Sequence, residues 1–495
     1  MTLLFELLLA AALGALQTLA YVRTGAWGLQ LACIGLLAWR AASLPAGRAA
    51  GLGLAFGTAW VAAGTWWMFI SMHRYGGLPA WMAVTAVAGL SAFLALYLAA
   101  ALAAFARWRS GQAGRDALLF AALWLLAELA RGVILTGFPW VASGYAQVDA
   151  PLAWLAPWVG VYGIGFAAAA LAAWTAFALA RPGRMGWGAP ASALILVALA
   201  LASPLRFTQA SGTLAVTLLQ GNIPQEEKFA TQHQAAALEW HVGALLAAHS
   251  DLVIAPETAV PFLPQQMPEA FWPSLKAHFA EGRTHALFGV PLGNEAEGYT
   301  NSAVGFGPGR PEYHYAKHHL VPFGEFIPYG FKWFTQLMNI PLGDFNRGPL
   351  RAPSFEVKGE RVAPNICYED LFGEELAARF DDPASAPTMF ANISNIGWFG
   401  DTIAVDQHLQ ISRLRALEFE RPMLRATNTG ATVVIDHLGR VTHQLAPFTR
   451  GVLEATVQGR DGLTPFAWWA SRYGLWPLAA TALLLVLMLR RRSGP

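Results

Sequence analysis

The sequence is poor in charge and in cysteine. Of its 495 residues only 13% are Asp, Glu, Lys or Arg, and the formal net charge is +2. A chain so nearly neutral lacks the electrostatic footprint of a nucleic-acid binder, and no such partner is expected. It has 2 cysteines, Cys33 and Cys367. That count excludes a disulfide framework and any multi-cysteine zinc site. His318, His319 and His408 have no acidic partner at metalloenzyme spacing, and adjacent histidines ligate one ion poorly. No metal and no cofactor is expected. No cleavable leader is expected either. Glu6 interrupts the first apolar run and no basic segment precedes it, so this stretch reads as a retained anchor.

What is present is hydrocarbon, and it is unevenly spread. Hydrophobic residues make up 55% of the chain and the mean hydropathy is +0.40. They concentrate in the first ~200 residues and in one C-terminal segment, and the stretch between has ordinary globular composition. A membrane-crossing helix needs about 20 apolar residues. Seven candidates precede the globular part: Leu3–Tyr21, Trp27–Ala41, Ala50–Ser71, Pro79–Phe105, Ala117–Leu135, Pro151–Ala180 and Trp187–Leu201. An eighth covers Phe466–Leu489. The sixth is long and carries Gly160, Gly163 and Gly165, which invite a break.

Arginine distribution orients these spans. Arg40, Arg48, Arg107, Arg109, Arg115, Arg181 and Arg184 lie in alternate connections, and Arg490, Arg491 and Arg492 follow the last span. The other connections hold chiefly Arg23, Arg74 and Arg131. The positive-inside rule then places both termini in the cytoplasm and the globular part outside, which is the periplasm if the source is a Gram-negative bacterium. The expected organisation is a membrane domain over 1–205, an outer domain over 212–460, a last span over 466–490 and a short cytoplasmic tail over 491–495. Trp140, Trp154 and Trp158 suit an interfacial belt.

The outer domain alternates short apolar runs with helical patterns. Strands are expected at Leu214–Leu219, Leu252–Ala255, Ala286–Val290, Ser302–Phe306, Val362–Cys367, Thr388–Asn392, Leu424–Thr427, Thr432–Ile435 and Val452–Ala455. Helices are expected at Gln232–Ala248, Pro268–Glu281, Leu371–Phe380 and Asp406–Glu420. The class is α/β, with helices covering sheet faces.

Three strand ends carry the polar chemistry. Glu257 follows Ile254-Ala255-Pro256. Lys317 follows Tyr313-His314-Tyr315-Ala316. Cys367 ends Val362-Ala363-Pro364-Asn365-Ile366 and is followed by Tyr368, Glu369 and Asp370. Cys33 sits in an apolar segment and reads as inert filling. In an oxidising space without a disulfide partner, Cys367 is either a reactive thiol or a buried structural one. A thiol attacks as thiolate, so it wants a base and a cation. Glu257 can accept its proton in an enclosed site. Lys317 can stabilise both the thiolate and an oxyanion, with the N–H after Cys367 as a second donor. Glu325 can orient Lys317 or share the proton work.

The ordered set Glu257, Lys317 and Cys367, with Lys317-His318-His319-Leu320-Val321-Pro322-Phe323-Gly324-Glu325 and Asn365-Ile366-Cys367-Tyr368-Glu369, resembles the nitrilase superfamily. Joined to eight spans, it resembles the apolipoprotein N-acyltransferase family over nearly the whole chain. Leu219-Gln220-Gly221-Asn222-Ile223-Pro224-Gln225, Leu135-Thr136-Gly137-Phe138-Pro139-Trp140 and Trp398-Phe399-Gly400-Asp401 extend the likeness, as does the run Arg421 to Gly430. The resemblance implies an α-β-β-α sandwich on a polytopic base in the bacterial inner membrane. It implies acyl transfer by a ping-pong route through a Cys367 thioester. The donor would be a phospholipid such as phosphatidylethanolamine, and the acceptor the α-amine of a diacylglyceryl-cysteine apolipoprotein.

The resemblance makes Glu257, Lys317 and Cys367 catalytic, and Glu325, Tyr368 and Glu369 supporting or oxyanion residues. Phe229, Phe138, Trp140, Phe326 and Trp398 are substrate-contact candidates, and a monomer is expected. Phe229 and Ala255 stand where the family often has Trp, and Asn395-Ile396-Gly397 lacks an Asp common there. Aromatics between Phe323 and Ile340 suit an apolar flap. A membrane-tethered amidase would use the same three residues with water as second nucleophile. A transporter with an outer domain is a further alternative, against which the membrane half offers almost no charge at its centre.

Overall fold

The computed structural model describes residues 2–180, 188–201, 206–228, 231–328 and 344–490. They divide into two units: a helical one (Met1–Phe69, Ala80–Leu205 and Tyr473–Pro495) and an α/β one (Ile70–Pro79 and Arg206–Arg472).

The helical unit contains α1 (Leu3–Leu16), α2 (Trp27–Ala41), α3 (Ala46–Thr65), α4 (Ala80–Trp108), α5 (Ala113–Val133), α6 (Ala156–Leu179) and α7 (Gly188–Leu201). Among the described residues, 4 helical stretches are long and apolar enough to cross a membrane, or up to 6 if each sharply bent pair is one span. Trp27–Ala41 and Gly188–Leu201 are helical but short, at 15 and 14 residues. The break expected in the sixth span is real. Gly160 interrupts α6 at φ 65°, ψ −174°, a region only glycine enters at low cost. The single helix expected over Phe466–Leu489 is two, Pro465–Tyr473 and Trp476–Leu489, bent by 91°. Gly474, at φ 54°, makes the corner.

Two expectations about this unit are corrected. Trp140 is not an interfacial belt residue. It is 3% exposed and packs on Trp67 at 4.7 Å between ring centroids. Arg131 is not in a loop. It lies inside α5, buried, 3.2 Å from the Glu128 carboxylate, so the helical unit does carry a buried charge pair.

The α/β unit is built on two six-stranded sheets. The first runs β12-β1-β2-β3-β4-β5, from β1 (Thr208–Gln220), β2 (Leu252–Ile254), β3 (His285–Asn294), β4 (Gly298–Phe306), β5 (Tyr313–Ala316) and β12 (Gly451–Gly462). The second runs β11-β10-β9-β8-β7-β6, from β6 (Phe355–Val357), β7 (Glu360–Ile366), β8 (Met389–Ser394), β9 (Met423–Thr427), β10 (Val433–Ile435) and β11 (Val441–Gln444). At the centre of each sheet three strands are parallel, β1-β2-β3 and β7-β8-β9.

Side-chain alternation explains the layering. Leu214, Val216 and Leu218 of β1 point to one face and join Leu252, Ile254, Val362, Ile366, Ala391, Ile393 and Leu424 in a core shared by the two sheets. Leu219, Val253, Ala286 and Phe288 point the other way and meet Leu275 and Phe279 of α9 (Phe271–Glu281), with Leu245 of α8 (Thr231–Leu246). Over the second sheet lies α10 (Ala404–Phe419), whose Phe419 ring is 5.3 Å from Phe390 of β8. The α-β-β-α order is as expected. β6 and β11 were not among the expected strands, and β5 was expected only as the strand end before Lys317.

Candidate active site

Glu257, Lys317 and Cys367 follow β2, β5 and β7, and the α/β unit gathers all three. In sheets with parallel centres, the carboxyl ends of the strands are where loops can converge on a ligand. Cys367 adopts φ 53°, unusual for a residue with a side chain, so the turn after β7 is held in a strained form. Several partners hold it. The Cys367 carbonyl accepts from Asn392 Nδ2 at 3.2 Å and lies 3.2 Å from His408 Nε2.

His408 is itself fixed. Its Nε2 is 2.9 Å from Asp370 Oδ1, and Arg425 Nη2 is 3.2 Å from its Nδ1. Arginine only donates, so Nδ1 accepts and the ring proton sits on Nε2, directed at Asp370 and the Cys367 carbonyl. Burial, the larger influence, pushes His408 below the ordinary histidine range even against the pull of Asp370, which keeps the ring neutral. Burial works against the Asp370 charge, but His408, Arg425 and Ser412 together hold its carboxyl below the usual range.

Lys317 is 1% exposed, with its Nζ 2.9 Å from the Glu325 carboxylate and 3.8 Å from Glu257 Oε1. Burial alone would discharge it. Glu325 and Glu257 outweigh that and hold its pKa above the ordinary lysine value. Asn301 of β4 ties the two acids together, donating to Glu257 Oε1 at 2.8 Å and to Glu325 Oε1 at 2.6 Å. Glu257 Oε2 accepts from the Asn395 N–H at 2.9 Å, and Glu325 Oε2 from the Val321 N–H at 2.8 Å. Every carboxylate oxygen of the pair therefore has a donor. Gly289 of β3 lets the Glu257 backbone come this close: a Cβ there would lie 2.7 Å from Glu257 Cα.

The Cys367 thiol is pushed up to about 12, first by burial and then by the Glu257 charge, with Lys317 pulling the other way. At neutral pH it is therefore a thiol, and it needs a base in order to attack.

The supporting residues fall into place differently. Glu369 is a clamp. It accepts from Tyr315 Oη at 2.7 Å, from the Ile366 N–H at 2.6 Å and from the His318 N–H at 2.7 Å. It thus locks the cysteine turn to the end of the lysine strand. Tyr368 is buried, its ring near His319 at 5.7 Å and Phe372 at 5.3 Å. Trp398 is half-buried against Tyr75 of the Ile70–Pro79 segment, at 5.7 Å, and Arg74 of that segment pairs with Glu226. Phe326 has the Arg347 guanidinium 5.3 Å from its ring centre. Phe138 and Trp140 belong to the helical unit. Phe229, and the flap residues from Tyr329 to Ile340, lie outside the described residues.

The sequence pattern does not single out Asn301, Asn392, Asp370 or Ser412, and places Arg425 only within the run Arg421 to Gly430 that extends the family likeness. A polar side chain at an inward strand position was the available signal for the two asparagines. Among the described residues no group of His, Cys, Asp and Glu is placed to hold a metal. His319 Nδ1 is 2.9 Å from Glu375, and burial drives its pKa down to about 3.

Two six-stranded sheets packed under helices, with a strained cysteine at a strand end, are the architecture of a carbon-nitrogen hydrolase, and residues 215–462 match the family model described as Carbon-nitrogen hydrolase. Residues 13–174 match the Apolipoprotein N-acyltransferase N-terminal domain. The chain is 54% identical over 478 residues to an apolipoprotein N-acyltransferase of Verminephrobacter eiseniae, covering 91% of this chain and 89% of that one. A relative of the same name in Ralstonia nicotianae is 48% identical, with 98% and 94% covered, and one in Bordetella bronchiseptica is 40% identical, with 98% and 96% covered. The chain belongs to the apolipoprotein N-acyltransferase family. With its long apolar helices it is a multi-pass membrane protein.

Proposed function

We propose that this protein N-acylates lipoproteins, taking an acyl chain from a membrane phospholipid such as phosphatidylethanolamine and delivering it to the α-amine of a diacylglyceryl-cysteine N-terminus. The observation that carries the reading is the buried Lys317 ammonium between Glu257 and Glu325, in the field of a neutral, strained Cys367 thiol.

Glu257 takes the thiol proton as sulfur attacks the donor ester carbonyl. Lys317 and the Tyr368 N–H receive the oxyanion. Collapse breaks the ester C–O bond. Glu257 returns the proton to the leaving glycerol oxygen, lysophospholipid departs, and a Cys367 thioester remains. The acceptor amine then attacks that thioester, and Glu257 takes the ammonium proton. The thiolate leaves and is reprotonated, and an amide has formed. Glu325 keeps Lys317 charged and in place.

The site lies in the bacterial inner membrane protein's outer domain, facing the periplasm, with both termini in the cytoplasm and eight spans between. The arginine asymmetry supports this topology. Purified protein should be incubated with phosphatidylethanolamine and a synthetic diacylglyceryl-cysteine peptide. An added amide-linked acyl group on the peptide supports the reading. Free fatty acid release with an unmodified peptide would replace it with a tethered hydrolase.

A further inference from the structure

The run Asn392-Ile393-Ser394-Asn395 carries a hydroxyl that the proposed chemistry does not use. Ser394 is the last residue of β8 and is buried. β8 runs parallel beside β7, with Ile393 opposite Ile366. One step further, at the carboxyl ends of both strands, Ser394 and Cys367 stand side by side. The Ser394 backbone is pinned in place. Its carbonyl accepts from the Asn428 N–H at 3.0 Å, and the next N–H, that of Asn395, donates to Glu257 Oε2 at 2.9 Å. The Ser394–Asn395 unit thus bears on both the thiol and its base.

The hydroxyl itself has no partner of ordinary hydrogen-bond geometry among the described residues. What it reaches is the Cys367 sulfur. Burial and then Glu257 disfavour the charged form of that sulfur; Lys317 and, after it, the Ser394 hydroxyl favour it. A buried donor without a good acceptor is costly, so its acceptor is worth identifying. A thiol accepts weakly, whereas a thiolate accepts as an ion and more strongly. The contact is therefore loose beside the neutral thiol and has its best partner only once sulfur is charged. Catalytic hydrogen bonds often tighten in this way on passing from the free enzyme to the transition state.

We propose that Ser394 is a further catalytic residue, its Oγ–H donating to the Cys367 sulfur whenever that atom carries negative charge. The role rests on the acyl-transfer reading above. In loading, sulfur attacks the ester carbonyl as its proton passes to Glu257, so charge on sulfur is brief. In transfer, the amine attacks the thioester, the carbon–sulfur bond breaks, and sulfur leaves with the electron pair. Ser394 supports that charge until the proton held by Glu257 reaches sulfur, and keeps its own proton throughout. Its help is greater in transfer, where a thiolate must depart. The charged groups that act with it on this sulfur are Glu257, Lys317, Glu325 and Arg425, while neutral His408 sits at the Cys367 carbonyl.

The test is alkylation of the full chain by iodoacetamide from pH 7 to pH 10, read at Cys367 by peptide mass spectrometry. A hydrogen bond to a charged atom is worth about 10–100-fold in thiol acidity, and roughly half of that, on a logarithmic scale, returns as greater nucleophilicity of the less stabilised sulfur. Ser394→Ala should therefore slow alkylation about fivefold at pH 9. Ser394→Thr, which keeps a hydroxyl, should recover most of the rate. The sign separates this role from a structural one: a variant that only loosened Asn395 and Glu257 would speed alkylation, by lifting the carboxylate charge from the thiol. In a second arm, the chain is loaded from phosphatidylethanolamine and mixed with a diacylglyceryl-cysteine peptide. Ser394→Ala should slow transfer about threefold more than it slows loading. Alkylation of Ser394→Ala at the wild-type rate or faster, the same loss in Ser394→Thr, or equal slowing of loading and transfer overturns the proposal. A wild-type chain that forms no thioester overturns the acyl transfer instead, and alkylation still reads the Ser394 contact.

Discussion

The Lys317 ammonium rests 2.9 Å from the Glu325 carboxylate inside a site where the lysine is almost wholly hidden from solvent. Removing one partner of such a pair leaves the other charge uncompensated. Glu325→Gln is therefore expected to lower the rate of Cys367 acylation by about 10²-fold or more, comparable to losing one oxyanion donor. Lys317→Met should do at least as much. Single-turnover acylation with phospholipid checks both, and a loss under threefold for either variant would remove the lysine from the chemistry.

The Cys367 thiol is held up at about 12, so its reactivity toward a small neutral alkylating agent should climb steadily from pH 7 to pH 10 without levelling off. The sign for Glu257 follows. Its negative charge raises the thiol pKa, so Glu257→Gln should speed alkylation at pH 9 while suppressing acylation by phospholipid. Mass-spectrometric alkylation rates read this directly. A plateau near neutral pH would mean a resting thiolate and no need for the base.

Asp370 anchors His408, Ser412 and Arg425 behind the cysteine turn. Asp370→Asn leaves the buried Arg425 without its counter-charge, and a loss of about 3–5 kcal/mol is expected. Thermal unfolding in detergent should show it as a clear fall in Tm. His408→Gln should cost less in stability but slow acylation, because the Cys367 carbonyl loses one of its two side-chain partners.

Glycine is required at two positions for different reasons. Gly289→Ala would push a methyl against the Glu257 backbone, so acylation should fall with little change in membrane insertion. Gly160→Ala forces a side chain into a glycine-only conformation, at a cost of about 1–3 kcal/mol, and should lower Tm without touching the thiol chemistry.

The legible parts of this chain were those written in local pattern. Alternating Leu214, Val216 and Leu218 gave a strand with two buried faces, and the run into Cys367 gave a strand end. Gly160 announced the helix break. What stayed hidden depends on contacts distant in sequence. Asn301 bridges two acids that lie 44 and 24 residues away from it, and nothing local marks it as a bridge. Arg131 read as a loop arginine because the Val141 carbonyl and the Trp60 ring that receive it come from other segments. Gly474 was taken as interior to one span, although its left-handed backbone turns the chain by 91°.

The central claim is a covalent acyl-enzyme on Cys367. The direct measurement is the intact mass of the purified protein after incubation with phosphatidylethanolamine, beside Cys367→Ala. The account predicts a gain of one fatty acyl group, removed by hydroxylamine and missing from the variant. An unmodified wild-type mass with intact phospholipid, or the same adduct on Cys367→Ala, would contradict it.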